Sequence, residues 1–331
     1  MQFAISRLMS LSLLYVLIFF YYLKMKYFCK NIINNYIFSY MTNLLNELDK
    51  EIIAEIPTWT LPTNFNPMVD NFPEKVTKMI IDEYDYPLTS FPSGLLELTL
   101  GNAYNQPLSN MPASLKVLTL GNAYNQPLCN LPKNLQKLIL GSRFDHNISE
   151  LPTNLRGLIL NKKTNYLLGH LPSSLKSLGI IYDYEYKLSD LPDSLESLCL
   201  YCEDNKQVDN FPPGLRYLGL TGWFGQPLNN LPSSLRGLTL LGYFNQPLSN
   251  LPHKIKRLRL GPSFNKQLSI CSVLPYLKRV YICREQREKI PPLFDTYIIL
   301  YNKSTIITKK IYTNYNLDEW KHIFYKSITQ T

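Results

Sequence analysis

Proline recurs at a fixed interval along much of this chain. Pro92, Pro112, Pro132, Pro152, Pro172, Pro192, Pro212, Pro232 and Pro252 each follow the last by twenty residues. A common phrase surrounds them, as in Leu231-Pro232-x-x-Leu235-x-x-Leu238-x-Leu240. A short period with no insertion across these copies specifies stacked, near-identical turns rather than separate globular lobes. The length of 331 residues would otherwise allow two globular domains, but a solenoid grows by adding turns.

One turn can be read residue by residue. Leu238 and Leu240 lie two apart, so on a strand both point to one side. Leu235, Phe244, Leu248 and Leu251 add four more apolar positions, and other copies keep them with swaps such as Met111, Ile148, Val208 and Phe211. A single turn buries too little to offset the entropy of ordering twenty residues, so turns must stack. Each contributes one strand running in the same direction, which predicts a parallel β-sheet. The returning limb, Asn245-Gln246-Pro247-Leu248-Ser249-Asn250-Leu251-Pro252, carries two prolines and is predicted extended and turn-rich, with little helix. Gly101, Gly121, Gly141 and Gly261 directly follow the strand, where the chain must bend. Asn105, Asn125, Asn165, Asn205, Asn245 and Asn265 recur at one corner, where their amides can bond backbone from turn to turn.

The pattern extends beyond the regular copies. Trp59, Leu61 and Phe65 fit the frame. Val76, Met79, Ile81 and Leu88 fit it with one residue deleted, and Leu277, Val280 and Ile282 read as a closing strand. About twelve turns over residues 56–282, at about 4.8 Å per strand, give a sheet about 55 Å long. Residues 283–331 lose the phrase and are expected to cap the array, with one more strand at 297–301 and a helix at 317–328. At the other end, residues 41–55 form a second unit. Leu44, Leu45, Leu48, Ile52, Ile53 and Ile56 fall on one helical face, capped by Thr42 or Asn43. Two readings stand for this helix: a cover for the open end of the solenoid, or a reduced F-box-like element.

Residues 1–40 are a hydrophobic amino-terminal segment. Leu8 to Leu23 is almost wholly apolar, broken only by Ser10 and Ser12; Phe3-Ala4-Ile5 extends it back across Arg7, and Lys24, Lys26 and Lys30 follow. A membrane anchor with the repeats on the cytoplasmic side is one reading. The other is a translation start at Met41, since the preceding stretch is rich in Phe, Tyr, Ile, Asn and Lys. Localisation stays open between cytoplasm and membrane.

The net charge of +9 resides in the tails. Residues 1–40 hold four basic residues and no acid, and residues 272–331 hold ten basic and five acidic ones. The remaining stretch has 20 of each, so the repeat zone as a whole lacks the excess that phosphate contacts require, and no nucleic-acid partner is expected. The six cysteines are irregularly spaced, unlike a disulfide scaffold. Cys199-x-x-Cys202 has no second pair, so both read as reduced strand residues, and Cys271 is assigned to the leucine slot before the proline. His146, His170, His253 and His322 are scattered, and there is no phosphate-cradling loop. No enzyme activity, metal or cofactor is expected.

Residues between the inward leucines form three outward columns. They begin at Leu96, Glu97 and Thr99 and step by twenty. Positive charge gathers late, at Arg216, Arg236, Lys256, Arg257 and Arg259, with Tyr217 among them. Like charges on adjacent strands repel, so this cluster is the candidate partner site, suited to an acidic protein surface. The competing reading is a solvated rim that serves solubility.

The phrase Phe244-Asn245-Gln246-Pro247-Leu248-Ser249-Asn250-Leu251-Pro252 resembles the FNIP repeat, as do Tyr104-Asn105-Gln106-Pro107-Leu108 and Phe264-Asn265-Lys266-Gln267-Leu268. The resemblance covers residues 56–282. FNIP repeats are a leucine-rich-repeat-like family, abundant in social amoebae and in giant viruses of amoebae. The family implies a parallel sheet on the concave face, a turn-rich convex face and a non-catalytic protein-binding scaffold, here expected as a monomer. Thr164-Asn165-Tyr166-Leu167, Tyr184-Glu185-Tyr186-Lys187 and Asp204-Asn205-Lys206-Gln207 depart from the signature, and those turns are expected to be less regular. Some members join the repeats to an F-box. A substrate receptor for ubiquitin ligation is therefore the alternative function, which co-purification of a Skp1-like adaptor would favour.

Overall fold

A computed structural model describes residues 58–60, 75–146, 150–160, 171–180, 188–202, 204–268, 274–283 and 297–301. The chain divides into two units, Met1–Ile53 and Ala54–Thr331, and every described residue belongs to the second. The apolar segment 3–23, the helix expected over 44–56, Cys271 and the helix expected over 317–328 lie outside the described residues. So do the irregular copies at 164–167 and 184–187.

Alternating apolar residues in each turn form one short strand. The strands are β1 (Thr58–Thr60), β2 (Lys78–Ile81), β3 (Glu97–Leu100), β4 (Val117–Leu120), β5 (Lys137–Ile139), β6 (Gly157–Leu160) and β7 (Ser177–Ile180). They continue with β8 (Ser197–Cys202), β9 (Tyr217–Gly222), β10 (Gly237–Leu240), β11 (Arg257–Leu260), β12 (Arg279–Cys283) and β13 (Tyr297–Tyr301). All thirteen pair in chain order into one sheet, and every pairing is parallel. The only helical element among the described residues is a 3-10 turn at Leu188–Asp190. The chain is a parallel-sheet solenoid of the leucine-rich-repeat kind.

Register follows the period of the sequence. Leu98 pairs with Leu118, Leu118 with Leu138, and Leu218 with Leu238. The deletion before β3 appears as Lys78 opposite Glu97. Between β11 and β12 the step lengthens, with Arg257 opposite Arg279. Two extra residues therefore intervene between these strands. Leu274 occupies the slot of Pro252, its carbonyl accepting the Leu277 N–H at 3.3 Å as Pro252 accepts that of Ile255 at 3.1 Å.

The strands also vary in length for a local reason. β8 and β9 run two residues further because Tyr201 and Cys202 pair with Thr221 and Gly222, whereas β10 ends at Leu240. The bend of β9 then falls at Gly222, whose φ of 85° suits a residue without Cβ.

The six apolar positions of the repeat form the core: Leu235, Leu238, Leu240, Phe244, Leu248 and Leu251 are all buried. Aromatic residues stack in columns through it. Ring centroids of Tyr104 and Tyr124 are 6.3 Å apart at 4°, and those of Phe244 and Phe264 6.2 Å apart at 2°. The corner asparagines form the expected ladder. Asn125 N–H donates to Asn105 Oδ1 at 2.7 Å, Asp145 N–H to Asn125 Oδ1 at 2.9 Å, and Asn265 N–H to Asn245 Oδ1 at 2.8 Å. Although Asp204-Asn205-Lys206-Gln207 lacks the aromatic, Asn205 keeps its rung and accepts from Gly225 N–H at 2.8 Å.

Candidate protein-binding face

Strand alternation turns Leu98, Leu118 and their equivalents inward, and so turns the residues between them toward the opposite side of the sheet. That side is uneven. On β5 to β8 it holds Ile139, Ile159, Ser177, Ser197 and Cys199, all buried, and the apolar ones lie outside the core cluster. Burial pushes the Cys199 thiol up to about 12, which keeps it protonated and unreactive. Cys199 and Cys202 are both free thiols. Among the described residues, no three His, Cys, Asp or Glu side chains gather into a metal-binding group. None of the described helices is long and apolar enough to cross a membrane.

The six candidate residues fall on three successive strands. Arg216, Arg236 and Lys256 are exposed and stand one strand apart at the entry to β9, β10 and β11. Backbone bonds link them, with Arg236 N–H to Arg216 O and Lys256 N–H to Arg236 O, both at 2.7 Å. Tyr217 and Arg257 are half-buried in the next column, with Gly237 between them. Arg259, also half-buried, places its guanidinium 5.9 Å from the Tyr281 ring.

Two features of this face are absent from the sequence reading. Arg216 is already engaged, its Nη1 2.8 Å from Glu196 Oε2, while Lys176 Nζ lies 3.3 Å from the other oxygen of the same carboxylate. The patch also continues onto β12. Lys278 N–H donates to Lys256 O at 2.9 Å, placing exposed Lys278 next in the column, and exposed Arg279 stands opposite Arg257. The two-residue slip before β12 takes these residues out of the twenty-residue columns. A cruder signal was available: residues 210–284 contain ten Lys or Arg and no Asp or Glu. The neutrality of the repeat zone is thus an average over unlike halves.

A family model of the FNIP repeat matches residues 104–141 and 244–276. The chain carries FNIP repeats. The same twenty-residue phrase and sheet register connect the two matched stretches. No curated protein matches the chain. Among solved structures, the giant-virus protein CroV588, described as a novel circular LRR protein, is 25% identical with a TM-score of 0.52, covering 69% of this chain and 39% of its own. YopM from Yersinia enterocolitica WA-314 is 21% identical with a TM-score of 0.38, covering 70% of this chain and 54% of its own. The FNIP-repeat chain thus spans well under two thirds of either neighbour.

Proposed function

We propose that the FNIP-repeat chain is a non-catalytic scaffold that, as a single chain, binds an acidic protein on the sheet face opposite its core. The carrying observation is the in-register sheet, which holds Arg216, Tyr217, Arg236, Lys256, Arg257 and Arg259 in fixed columns on adjacent strands. Repeat folds of this kind serve as interaction surfaces because stacked turns make a long, rigid array of side chains. Charge clustered on such an array favours fast, oriented encounter with a partner of opposite sign.

Photo-crosslinking in cells that express the chain tests this reading. A photoreactive residue at Arg236 or Tyr217 is expected to capture a discrete protein, whereas one at exposed Ser249, on the returning limb, is not. Equal capture from both sides, or capture only from Ser249, would contradict it.

A further inference from the structure

We infer that the site lies on β10, β11 and β12, excludes Arg216, and takes one acidic face of an α-helix laid across those strands. This rests on the protein-binding reading and specifies its partner. Wherever cations on β2–β3 and β7–β9 have a carboxylate beside them, they use it. Lys78 Nζ is 3.1 Å from Glu97 Oε2, and Glu196 holds both Lys176 and Arg216. Three exposed cations of the next strands lack such a partner. Arg236, Lys256 and Lys278 succeed one another on consecutive strands and form no ion pair with a described residue. Exposed Lys254 and Arg279 lie beside them, and no acid occurs between Asp209 and Glu285. Adjacent like charges cost stability, so a ligand that neutralises them gains what the free chain loses.

The spacing selects the ligand. Consecutive strands place the cations about 4.8 Å apart, close to the pitch of about 5.4 Å that separates successive turns of an α-helix. Alternate residues of an extended peptide are about 6.8 Å apart and drift out of step. Carboxylates at i, i+4 and i+7 of a helix therefore meet Arg236, Lys256 and Lys278 in turn. Single-stranded nucleic acid, the other polyanion, needs open aromatic faces for its bases. The Tyr281 ring on this patch already carries the Arg259 guanidinium, and exposed Tyr276, in the slot of Lys254, is one ring rather than a column of open faces.

The test is fluorescence anisotropy with the full chain and three labelled probes. They are a synthetic helical peptide with Glu at i, i+4, i+7 and i+11, a peptide of the same composition with its Glu residues scattered around the helix, and an oligodeoxythymidine. The patterned peptide is expected to bind most tightly and to weaken with added salt. Lys256→Glu with Lys278→Glu should lower its affinity at least about tenfold, and Arg216→Glu should change it less than about twofold. All three residues are exposed, and unchanged circular dichroism checks that the variants fold. Arg216→Glu weakening binding as much as the double variant would overturn the inference, as would equal binding of the scattered peptide or tighter binding of the oligonucleotide. A partner crosslinked at Arg236 that the patterned peptide does not displace would overturn it too, while leaving the scaffold reading intact.

Discussion

At the scale of single residues, two positions show how the stack uses its side chains. Tyr104 and Tyr124 occupy the slot that Phe144, Phe224, Phe244 and Phe264 fill elsewhere. Their hydroxyls are buried beside the backbone of Leu88 and Leu108 without reaching good hydrogen-bond geometry. Burial pushes the Tyr104 phenol up to about 12 and that of Tyr124 further. A phenol raised in the folded state stabilises fully below its unfolded value of about 10, and that contribution is lost as pH climbs through the folded value. The Tyr104→Phe, Tyr124→Phe variant should gain about 1 kcal/mol per hydroxyl removed at neutral pH. Urea midpoints at about pH 8 and about pH 11 should show wild type losing more stability than the variant over that interval. Asn125 both donates to the rung before and accepts from the rung after. Asn125→Ala should cost about 1 kcal/mol in a urea titration, and Asn125→Asp less, since Asp85 already serves as such an acceptor at 2.7 Å.

At the scale of elements, strand and limb were legible because their periods differ. Residues two apart in Leu238 and Leu240 mark a half-buried strand, and prolines mark the limb. The extra strand Tyr297–Tyr301 was also legible, from its β-prone Tyr and Ile. What escaped were features of backbone conformation. Asn110, Asn130, Asn210 and Asn230 take left-handed φ values of 56°, 56°, 56° and 59°, which explains the second asparagine of the phrase. Gln126 Nε2 donates to Asn105 O at 3.0 Å, and Gln246 Nε2 to Gly225 O at 2.6 Å, a second ladder that a lone Gln in a sequence does not announce. Close packing between corners was equally hidden. A Cβ at Gly121 would run into the carbonyl of Gly101 one turn below. Gly121→Ala should therefore destabilise by about 1–3 kcal/mol, read as a lower thermal midpoint by circular dichroism.

At the scale of the molecule, the candidate site was only partly legible. Arg236, Lys256, Arg257 and Arg259 stand together as the frame implies, but the Glu196 clamp on Arg216 depends on side-chain reach between strands. Lys278 and Arg279 join only once the two-residue slip is absorbed. In a solenoid each turn contacts chiefly its neighbours, so whole turns should be removable. Deleting residues 217–236 joins Arg216 to Gly237 in frame and should leave one cooperative unfolding transition with a lower midpoint. Deleting residues 217–226 shifts the frame by half a turn and should abolish that transition. The most direct measurement is native-state hydrogen exchange across the sheet. Slowly exchanging amides are expected to recur every twenty residues, over β3, β4 and onward to β11, with residues 245–250 of the limb exchanging fast. Protection concentrated in the limb, or confined to a few separate blocks with the intervening strands unprotected, would contradict a single in-register ribbon.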